Sequence, residues 1–253
     1  MNVAIVVAAG KGSRMGGSEP KQFLELGGVP IIIHTLKRFE QCDAVNEVIV
    51  VLPADATAGF LSLAKKFELG KVAKVISGGA TRAQSVLCGL NAINKADIVA
   101  VHDGVRPFVT TDEIERVVQR ANATGAAVLV APVTDTIKEV SDDSIVRTLP
   151  RKCLRRALTP QCFRYDILKR AYENLPEFEK EGIEVTDDSL LVEHLGVKAA
   201  IVEGSARNIK ITEVEDLPLA EAILYQESGV RSQKPEARSQ KPEVRSQKKL
   251  SKH

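Results

Sequence analysis

The N-terminal stretch VAIVVAAGKGSRMGGSEPKQ (3–22) contains several small residues with basic residues among them. Its apolar beginning, residues 3–7, predicts a buried strand. In the loop that follows, small residues allow backbone N–H groups to approach an anion, and cations add charge for a polyphosphate. The residues that we assign to this loop are Ala8, Ala9, Gly10, Gly12, Arg14 and Lys21. The stretch predicts a loop around the phosphates of a nucleotide.

The spacing of this loop differs from two common phosphate-binding motifs. A Walker loop ends in Gly-Lys followed by Ser or Thr, and neither sequence occurs in the chain. A dinucleotide fingerprint requires an acidic residue about twenty positions after its glycines, where this chain reads Pro30-Ile-Ile-Ile. An ordinary glycine-rich turn remains the alternative, although Arg14 and Lys21 favour a phosphate site.

The motif HDGVRP (102–107) follows another apolar strand. An aspartate at the carboxyl end of a strand, facing a triphosphate, suits Mg²⁺, which combines few carboxylates with phosphate oxygens. We therefore assign Asp103 as a metal ligand and Arg106 as a fork for a second phosphate. A surface ion pair between these two residues is the alternative. We expect His102 to be structural rather than a general base.

The motif GGATRAQS (78–85) marks a turn from a strand into a helix. The N-terminus of a helix attracts anions, and glycine leaves room for a base or a ribose. Thr81 and Gln84 have the spacing of a capping box, so a routine capped helix is the alternative. The candidate binding residues in this turn are Gly79, Arg82 and Ser85.

Apolar strands alternate with helical patterns through the first half of the chain. This order predicts an α/β, Rossmann-like, mostly parallel sheet with helices on both faces. Ligands of such sheets lie at the carboxyl ends of the strands, where the candidate residues cluster. We expect strands at 3–7, 45–52, 71–76, 96–103, 126–133 and 198–203, and helices at 30–40, 54–67, within 78–93, and at 110–124, 165–181, 187–195 and 213–226.

Residues 134–149 alternate polar and apolar side chains around an expected turn at Ser141-Asp142-Asp143. This pattern predicts a projecting β-hairpin arm, and its outward face is apolar enough to suggest packing on a second subunit. We place one domain at 1–227, with the arm at about 134–152. A disordered basic tail with a seven-residue repeat, RSQKPEA, RSQKPEV and RSQKKLS, fills 228–253.

The composition excludes several classes of protein. The chain has 253 residues and a formal net charge of +2, and the tail supplies eight Lys or Arg against two Glu. Nucleic-acid binding would therefore be weak and confined to the tail. The four cysteines form no C-x-x-C pair, and no apolar run is long enough for a membrane helix. We expect a cytoplasmic protein with reduced thiols.

Six motifs together resemble the 2-C-methyl-D-erythritol 4-phosphate cytidylyltransferases of the non-mevalonate isoprenoid pathway. The resemblance spans about residues 3–226, in order and without large gaps. The chain departs from the family at two places. In HDGVRP, Gly104 and Val105 stand where the family usually has two alanines. Arg207 stands where some members carry an acidic residue that binds the metal. The motifs are AAGKGSRM with PKQ, GGATRAQS, HDGVRP, APVTDTIK, PRKCLRRALTPQ with TDDSLLVE, and RNIKIT.

The resemblance implies the roles of further residues. Thr136, Arg151 and Thr159 would contact the methylerythritol phosphate, and Arg151 would do so in the neighbouring subunit of a homodimer. Lys210 would approach the α-phosphate of CTP and join Arg14 and Lys21 as catalytic cations. The glycine-rich loop and the GGATRAQS turn would hold CTP, with Mg²⁺ on Asp103. Thr186 and Asp187 fit a helix N-terminus better than a substrate contact.

The expected reaction joins CTP to 2-C-methyl-D-erythritol 4-phosphate and releases pyrophosphate. The substrate phosphate is already ionised at neutral pH, so catalysis needs positioning and charge stabilisation rather than a base. Three rivals remain: a ribitol 5-phosphate cytidylyltransferase, a non-catalytic nucleotide-binding protein, and a nucleic-acid-binding protein acting through its tail. The set of Arg14, Lys21, Asp103 and Lys210 favours an enzyme.

Overall fold

The structure is a computed structural model that describes residues 1–10, 20–227 and 229. The predicted tail, Gly12 and Arg14 lie outside the described residues, apart from Gly229. Among the residues that are described, no helix is long and apolar enough to cross a membrane.

Seven strands form one sheet in the order β11-β7-β10-β6-β1-β4-β5. All neighbouring pairs are parallel except those that involve β10, which is antiparallel to both β6 and β7. The predicted mostly parallel sheet is therefore confirmed. In chain order the described strands are β1 (Asn2–Val7), β2 (Glu25–Leu26), β3 (Val29–Pro30), β4 (Glu47–Leu52), β5 (Val72–Ser77), β6 (Ile98–Asp103), β7 (Ala126–Pro132), β8 (Lys138–Ser141), β9 (Ser144–Thr148), β10 (Arg155–Arg164) and β11 (Ala200–Glu203).

Strand β10 is the main element that the apolar pattern does not predict. It begins with charged residues and contains Pro160, which cannot donate to a sheet ladder. The ladder with β7 accommodates the proline by a register shift between Ala157 and Gln161. A β-bulge of this kind lets a proline lie in a central strand and changes which side chains face the carboxyl end of the sheet.

Helices cover both faces of the sheet, as predicted. Two of them differ from their expected bounds: the 54–67 segment is interrupted at Gly59, whose φ is +81°, and the 165–181 segment breaks at Asn174, before Pro176. The described helices are α1 (Ile31–Glu40), α2 (Phe60–Lys66), α3 (Arg82–Asn91), α4 (Thr111–Thr124), α5 (Tyr165–Glu173), α6 (Leu175–Lys180), α7 (Asp188–His194) and α8 (Asp216–Glu227).

Two apolar cores lie on opposite faces of the sheet. Helices α1, α2 and α4 pack on one face around side chains such as Phe39, and α3, α5, α6 and α7 pack on the other around side chains such as Phe163. A third cluster joins α8 to the short β2–β3 ribbon. The strands between the cores are buried on both faces, which explains their near-continuous apolar sequences.

Side-chain caps begin the helices that lead away from the site. Thr110 and Glu113 form a complete capping box at α4. At α3 the box is partial: Thr81 accepts from the backbone N–H of Gln84, but the Gln84 side chain accepts from Ala80 rather than from Thr81. Asp187 caps α7 by accepting from the N–H of Leu190, as expected.

Strands β8 and β9 form the predicted hairpin arm, with Asp142 and Asp143 at its tip. Both residues have positive φ, +46° and +62°, as a tight primed turn requires. The arm exposes three large apolar side chains, Val140 (65%), Ile145 (65%) and Val146 (58%). Its role in dimerisation stays a prediction.

Candidate active site

The carboxyl ends of β1, β5 and β6 meet at a cleft of about 250 Å³, the first cavity. The parallel ladder from β5 through β4 and β1 to β6 brings these ends to one edge of the sheet. The predicted residues that line this cavity are Ala8, Ala9, Gly10, Lys21, Gly79, Arg82, Ser85, Asp103 and Lys210. The structure thus brings together most of the predicted nucleotide-site residues, while Gly12 and Arg14 lie outside the described residues.

Close backbone approaches lie directly behind the first cavity, next to Ala8 and Ala9 in its wall. A Cβ on Gly78 would lie 2.4 Å from the Cβ of Ala9, and a Cβ on Gly104 would lie 2.8 Å from that of Ala8. Only glycine permits such contacts without a shift. The hydroxyl of Ser85 accepts from the N–H of Gly79 at 3.2 Å and holds the turn against α3.

Asp103 lies in the wall of the cleft and contacts three cations. Its Oδ1 is 3.0 Å from Nε of Arg82, and its Oδ2 is 3.2 Å from Nε of Arg106 and 3.0 Å from Nζ of Lys210. The residue is only 6% exposed. The Asp103–Arg106 pair that we gave as the alternative therefore exists, but it is buried within the site instead of lying on the surface.

The charges around Asp103 keep its carboxylate ionised. Burial alone would raise its pKa, but Arg82, Lys210 and Arg106 hold the pKa far below its usual range. Burial is also the largest influence on Arg106 and lowers the pKa of that guanidinium, although Asp103 opposes the effect. An anion that enters here meets a cluster in which the basic groups outnumber the acidic ones.

A second cavity of about 190 Å³ lies on the other side of Asp103. Asp103, Arg82 and Lys210 line both cavities. The remaining walls of the second cavity are Arg106, residues of β10 and the two residues before α7, namely Ala157, Leu158, Thr159, Gln161, Thr186 and Asp187. Two ligands could therefore meet across a single carboxylate and two shared cations.

A buried network behind the second cavity holds Arg82 in place. Its Nη2 donates to Oδ2 of Asp188 at 2.9 Å, and the hydroxyl of Tyr172 donates to Oδ1 of Asp188 at 2.6 Å. Asp188 is fully buried. Burial alone would lower the pKa of Arg82, but the charges of Asp188 and Asp103 raise it. The Nη1 atom of Arg82 is buried without a hydrogen-bond partner in the described structure.

Sequence reasoning missed four residues of this network: Tyr172, Gln161, Asp188 and Asn208. The side-chain oxygen of Gln161 accepts from the N–H groups of Asp188 and Ser189, both at 3.0 Å. Asn208 donates to the carbonyl of Thr159 at 2.9 Å and offers its own backbone carbonyl to Arg106. The two adjacent acids of TDDSLLVE could have indicated Asp188: a helix N-terminus needs only one capping acid, so the second acid has another role.

His102 is structural in its surroundings, as expected. It is fully buried, and its ring contacts Phe39 edge-on, with ring centroids 5.0 Å apart. Burial lowers its pKa to about 4. Its nitrogens lie 3.0 Å from the hydroxyl of Thr159 and 3.1 Å from the carbonyl of Arg106.

Two predicted substrate residues lie outside both cavities. Thr136 and Arg151 lie at the base of the hairpin arm, before β8 and after β9, and both are exposed. The Nη1 atom of Arg151 donates to the carbonyl of Thr134 at 2.5 Å, within the base of the arm. Neither residue lines either cavity of this chain.

Comparisons with known proteins agree with this geometry. The family model described as 2-C-methyl-D-erythritol 4-phosphate cytidylyltransferase matches residues 2–226. A protein of that name from Bacillus licheniformis is 44% identical over 228 residues, which cover 90% of this chain and 97% of the relative. Another, from Halalkalibacterium halodurans, is 43% identical over 88% of this chain and 96% of its own length.

Solved structures are similar as well. The crystal structure of 2-C-methyl-D-erythritol 4-phosphate cytidylyltransferase from Thermus thermophilus has 37% sequence identity and a TM-score of 0.70, and the match covers 88% of this chain and 98% of that one. The 4-diphosphocytidyl-2C-methyl-D-erythritol synthase of Anaerococcus prevotii has 30% identity and a TM-score of 0.77, over 88% and 95% of the two chains.

Proposed function

Since this chain belongs to the family of 2-C-methyl-D-erythritol 4-phosphate cytidylyltransferases, we propose that the two cavities beside Asp103 hold its two substrates. The chain is a nucleotidyltransferase that joins CTP to 2-C-methyl-D-erythritol 4-phosphate in isoprenoid precursor biosynthesis. The products are 4-diphosphocytidyl-2-C-methyl-D-erythritol and pyrophosphate. Its relatives favour this activity over ribitol phosphate transfer and over nucleotide binding without turnover.

CTP is assigned to the first cavity and the alcohol phosphate to the second. The observation that carries this assignment is that Asp103 lies in a wall common to both cavities. Arg82 and Lys210 also line both cavities. Glycine-rich backbone suits a nucleotide, whereas hydroxyl and amide side chains suit a polyol. The reacting phosphates would then meet beside Asp103.

An oxygen of the alcohol phosphate attacks the α-phosphorus of CTP, and the bond from that phosphorus to the bridging oxygen of pyrophosphate breaks. The attacking phosphate needs no base, so the protein contributes position and positive charge. Lys210 (Nζ 3.0 Å from Asp103) and Lys21, which lines the first cavity, would stabilise the crowded anions. Arg14 is assigned the same role by sequence alone.

Mg²⁺ fits the donor set around Asp103. No group of three or more potential ligands among His, Cys, Asp and Glu occurs in the part of the chain that is described. Mg²⁺ nevertheless binds readily through one carboxylate and substrate phosphates, and Asp103 offers such an ionised carboxylate. When bound, the ion would neutralise phosphate charge, and Lys210, the most exposed of the three cations around Asp103, could give way to it.

The substrate is tested by pyrophosphate release with CTP and Mg²⁺, comparing methylerythritol phosphate with ribitol phosphate at equal concentration. We expect release with the first and little with the second. Release with ribitol phosphate alone would contradict the substrate assignment while keeping the CTP site. Release with neither, while CTP still binds, would contradict the proposed reaction.

We further propose that the chain acts as a homodimer in which the arm of one subunit reaches the second cavity of its partner. The apolar side chains exposed on the arm support an interface, and Arg151 at its base supplies a cation for a phosphate. Free thiols at all four cysteines are consistent with a reducing compartment, so we place the enzyme in the cytoplasm.

Mixing two inactive variants tests the shared site. If Arg151 serves the partner, a heterodimer of Arg151→Met and Lys210→Ala subunits contains one site with both residues intact. Activity should therefore appear on mixing, although each variant alone is inactive. Lack of any recovery in verified heterodimers would place Arg151 in the site of its own subunit, and an active Arg151→Met variant would place it outside the chemistry.

The interface itself is tested by Ile145→Asp, which should shift sedimentation from dimer to monomer and lower kcat/KM for the alcohol phosphate. Leu61→Asp is the matched control, because Leu61 is also exposed (45%) but lies on α2, away from the arm. A wild-type chain that sediments as a monomer with full activity would overturn the dimer.

A further inference from the structure

The hydroxyl of Thr159 lies between the second cavity and a buried histidine. Its oxygen is 3.0 Å from Nδ1 of His102 and 3.2 Å from the backbone nitrogen of Asp103. Thr159 lines the second cavity, although the whole residue is only 4% exposed. The direction of its two hydrogen bonds therefore decides what this hydroxyl offers to a substrate.

The surroundings of His102 fix the position of its ring proton. Nε2 lies 3.1 Å from the carbonyl oxygen of Arg106, which can only accept, so Nε2 carries a hydrogen. The ring is fully buried, and its two hydrogen bonds go to that carbonyl and to Thr159 rather than to a carboxylate. A second ring proton would place an unpaired charge in the core. Nδ1 is therefore bare and accepts from Thr159.

The only hydrogen of the Thr159 hydroxyl consequently points at His102, away from the cavity. Of the two lone pairs on its oxygen, one accepts from the N–H of Asp103. The other lone pair remains for a ligand. The backbone of Thr159 is held as well, because Asn208 donates to its carbonyl at 2.9 Å. The hydroxyl can neither turn nor donate to a ligand while these contacts persist.

We propose that His102 is a positioning residue that makes Thr159 a hydrogen-bond acceptor for a substrate hydroxyl and closes that position to phosphate oxygen. The proposal rests on the assignment of the second cavity to the alcohol phosphate. It also orients that substrate: its polyol end lies at Thr159, and its phosphate lies toward Arg106 and Lys210. In this orientation the attacking phosphate faces the wall shared with the CTP cavity.

The first test pairs substrate analogues with Thr159→Val, which removes the hydroxyl at nearly constant shape. In the analogues, single hydroxyls of methylerythritol phosphate are replaced by fluorine, which cannot donate. In the wild type, one analogue should raise KM roughly tenfold, as the loss of one hydrogen bond predicts. In Thr159→Val the same analogue and the parent substrate should have equal KM values. The proposal would be overturned if the ratio of analogue KM to parent KM were the same in the wild type and in Thr159→Val for every hydroxyl position.

The second test separates the two functions of the His102 ring. His102→Asn can keep an acceptor near the position of Nδ1, whereas His102→Gln can keep a donor near that of Nε2. Both variants lose the ring and its packing, so thermal unfolding controls for the structural cost. In His102→Asn we expect KM for the alcohol phosphate to stay close to the wild-type value, and in His102→Gln we expect it to rise roughly tenfold. KM for CTP should be unchanged in both variants. Equal KM values for the alcohol phosphate in Asn and Gln would overturn the positioning role.

Ring ¹⁵N chemical shifts give a readout that does not depend on turnover. They distinguish a protonated from a bare nitrogen, and the signal lost in His102→Asn identifies the residue among the four histidines of the chain. A protonated Nδ1 in the folded protein at neutral pH would overturn the proposal. If the wild type fails to release pyrophosphate, the proposed function fails first. If it turns over without coupling between Thr159 and any substrate hydroxyl, only the present inference fails.

Discussion

The two cavities that meet at Asp103 are built from different parts of the polypeptide. The first includes small residues and glycine turns at the ends of β1, β5 and β6, where Gly78 and Gly104 allow close backbone approach. The second is framed by side chains from β10 and α7, which are held by a buried network around Asp188. A backbone frame recognises a ligand common to many proteins, whereas a side-chain frame can select one alcohol. The specificity of the enzyme should therefore depend on the second cavity.

Asp103→Asn should produce the largest effect, because this carboxylate belongs to both cavities. The variant removes the negative charge that holds Arg82, Arg106 and Lys210 and that would hold Mg²⁺. We expect kcat to fall on the order of 10³-fold, the scale of losing a preorganised charge at a reacting phosphate. Steady-state kinetics with each substrate varied in turn measures the change.

The matched control for this variant is Asp112→Asn, since Asp112 pairs with Arg116 on the exposed surface of α4. Its kcat should stay near that of the wild type. If Asp103→Asn raised KM for only one substrate and left kcat within tenfold, Asp103 would belong to one cavity, and the shared-wall arrangement would be wrong.

Asp188→Asn tests whether the side-chain network also supports the nucleotide side. Asn keeps the shape but leaves the buried Arg82 with one charge partner fewer. The free energy of unfolding should fall by about 3–5 kcal/mol, as for other broken buried ion pairs, and KM for CTP should rise. Urea unfolding and CTP titration measure the two effects. Asp166→Asn, at an exposed position in the first turn of α5, should cost less than about 1 kcal/mol. Unchanged CTP affinity would mean that the two cavities are energetically separate.

His102 makes the stability of the folded protein depend on pH. Its pKa is about 4 in the folded protein, against the ordinary value of 6.5 for an exposed ring. Below pH 6.5 the unfolded chain therefore binds a proton that the folded chain excludes, so stability is lost as pH falls from 6.5 through 4. The loss from this one residue should reach about 3 kcal/mol.

Urea unfolding at pH 7 and pH 4.5 in EDTA measures this contribution. His102→Asn and His102→Gln should both lose less stability than the wild type over that interval, because neither side chain titrates. A wild-type pH dependence equal to that of the two variants would contradict the buried neutral ring.

The same contrast between backbone and side chains explains what the sequence predicts. The α/β order, the arm and the glycine-rich part of the first cavity depend on local signals: apolar strands, glycine-rich turns and caps within a few residues. The second cavity depends on contacts between segments far apart in the chain, such as Arg82 with Asp188 and Asn208 with Thr159. Pro160 also prevents the prediction of β10 from the sequence, because a proline argues against a central strand unless a bulge accommodates it. No local pattern contains these pairings.

Gly78→Ala tests the backbone frame and should lower the free energy of unfolding by less than Asp188→Asn does. Its Cβ would lie 2.4 Å from the Cβ of Ala9 and 2.7 Å from the hydroxyl oxygen of Ser85, so the turn or the loop must shift. We expect a loss of about 1–3 kcal/mol in unfolding free energy, with a rise in KM for CTP and little change in KM for the alcohol phosphate. Gly70→Ala is the control, since its Cβ would meet only the side-chain oxygen of Glu40 at 3.5 Å. A selective rise in KM for the alcohol phosphate would reverse the assignment of the cavities, because Gly78 lies behind the first cavity and is separated from β10 by β1, β4 and β6.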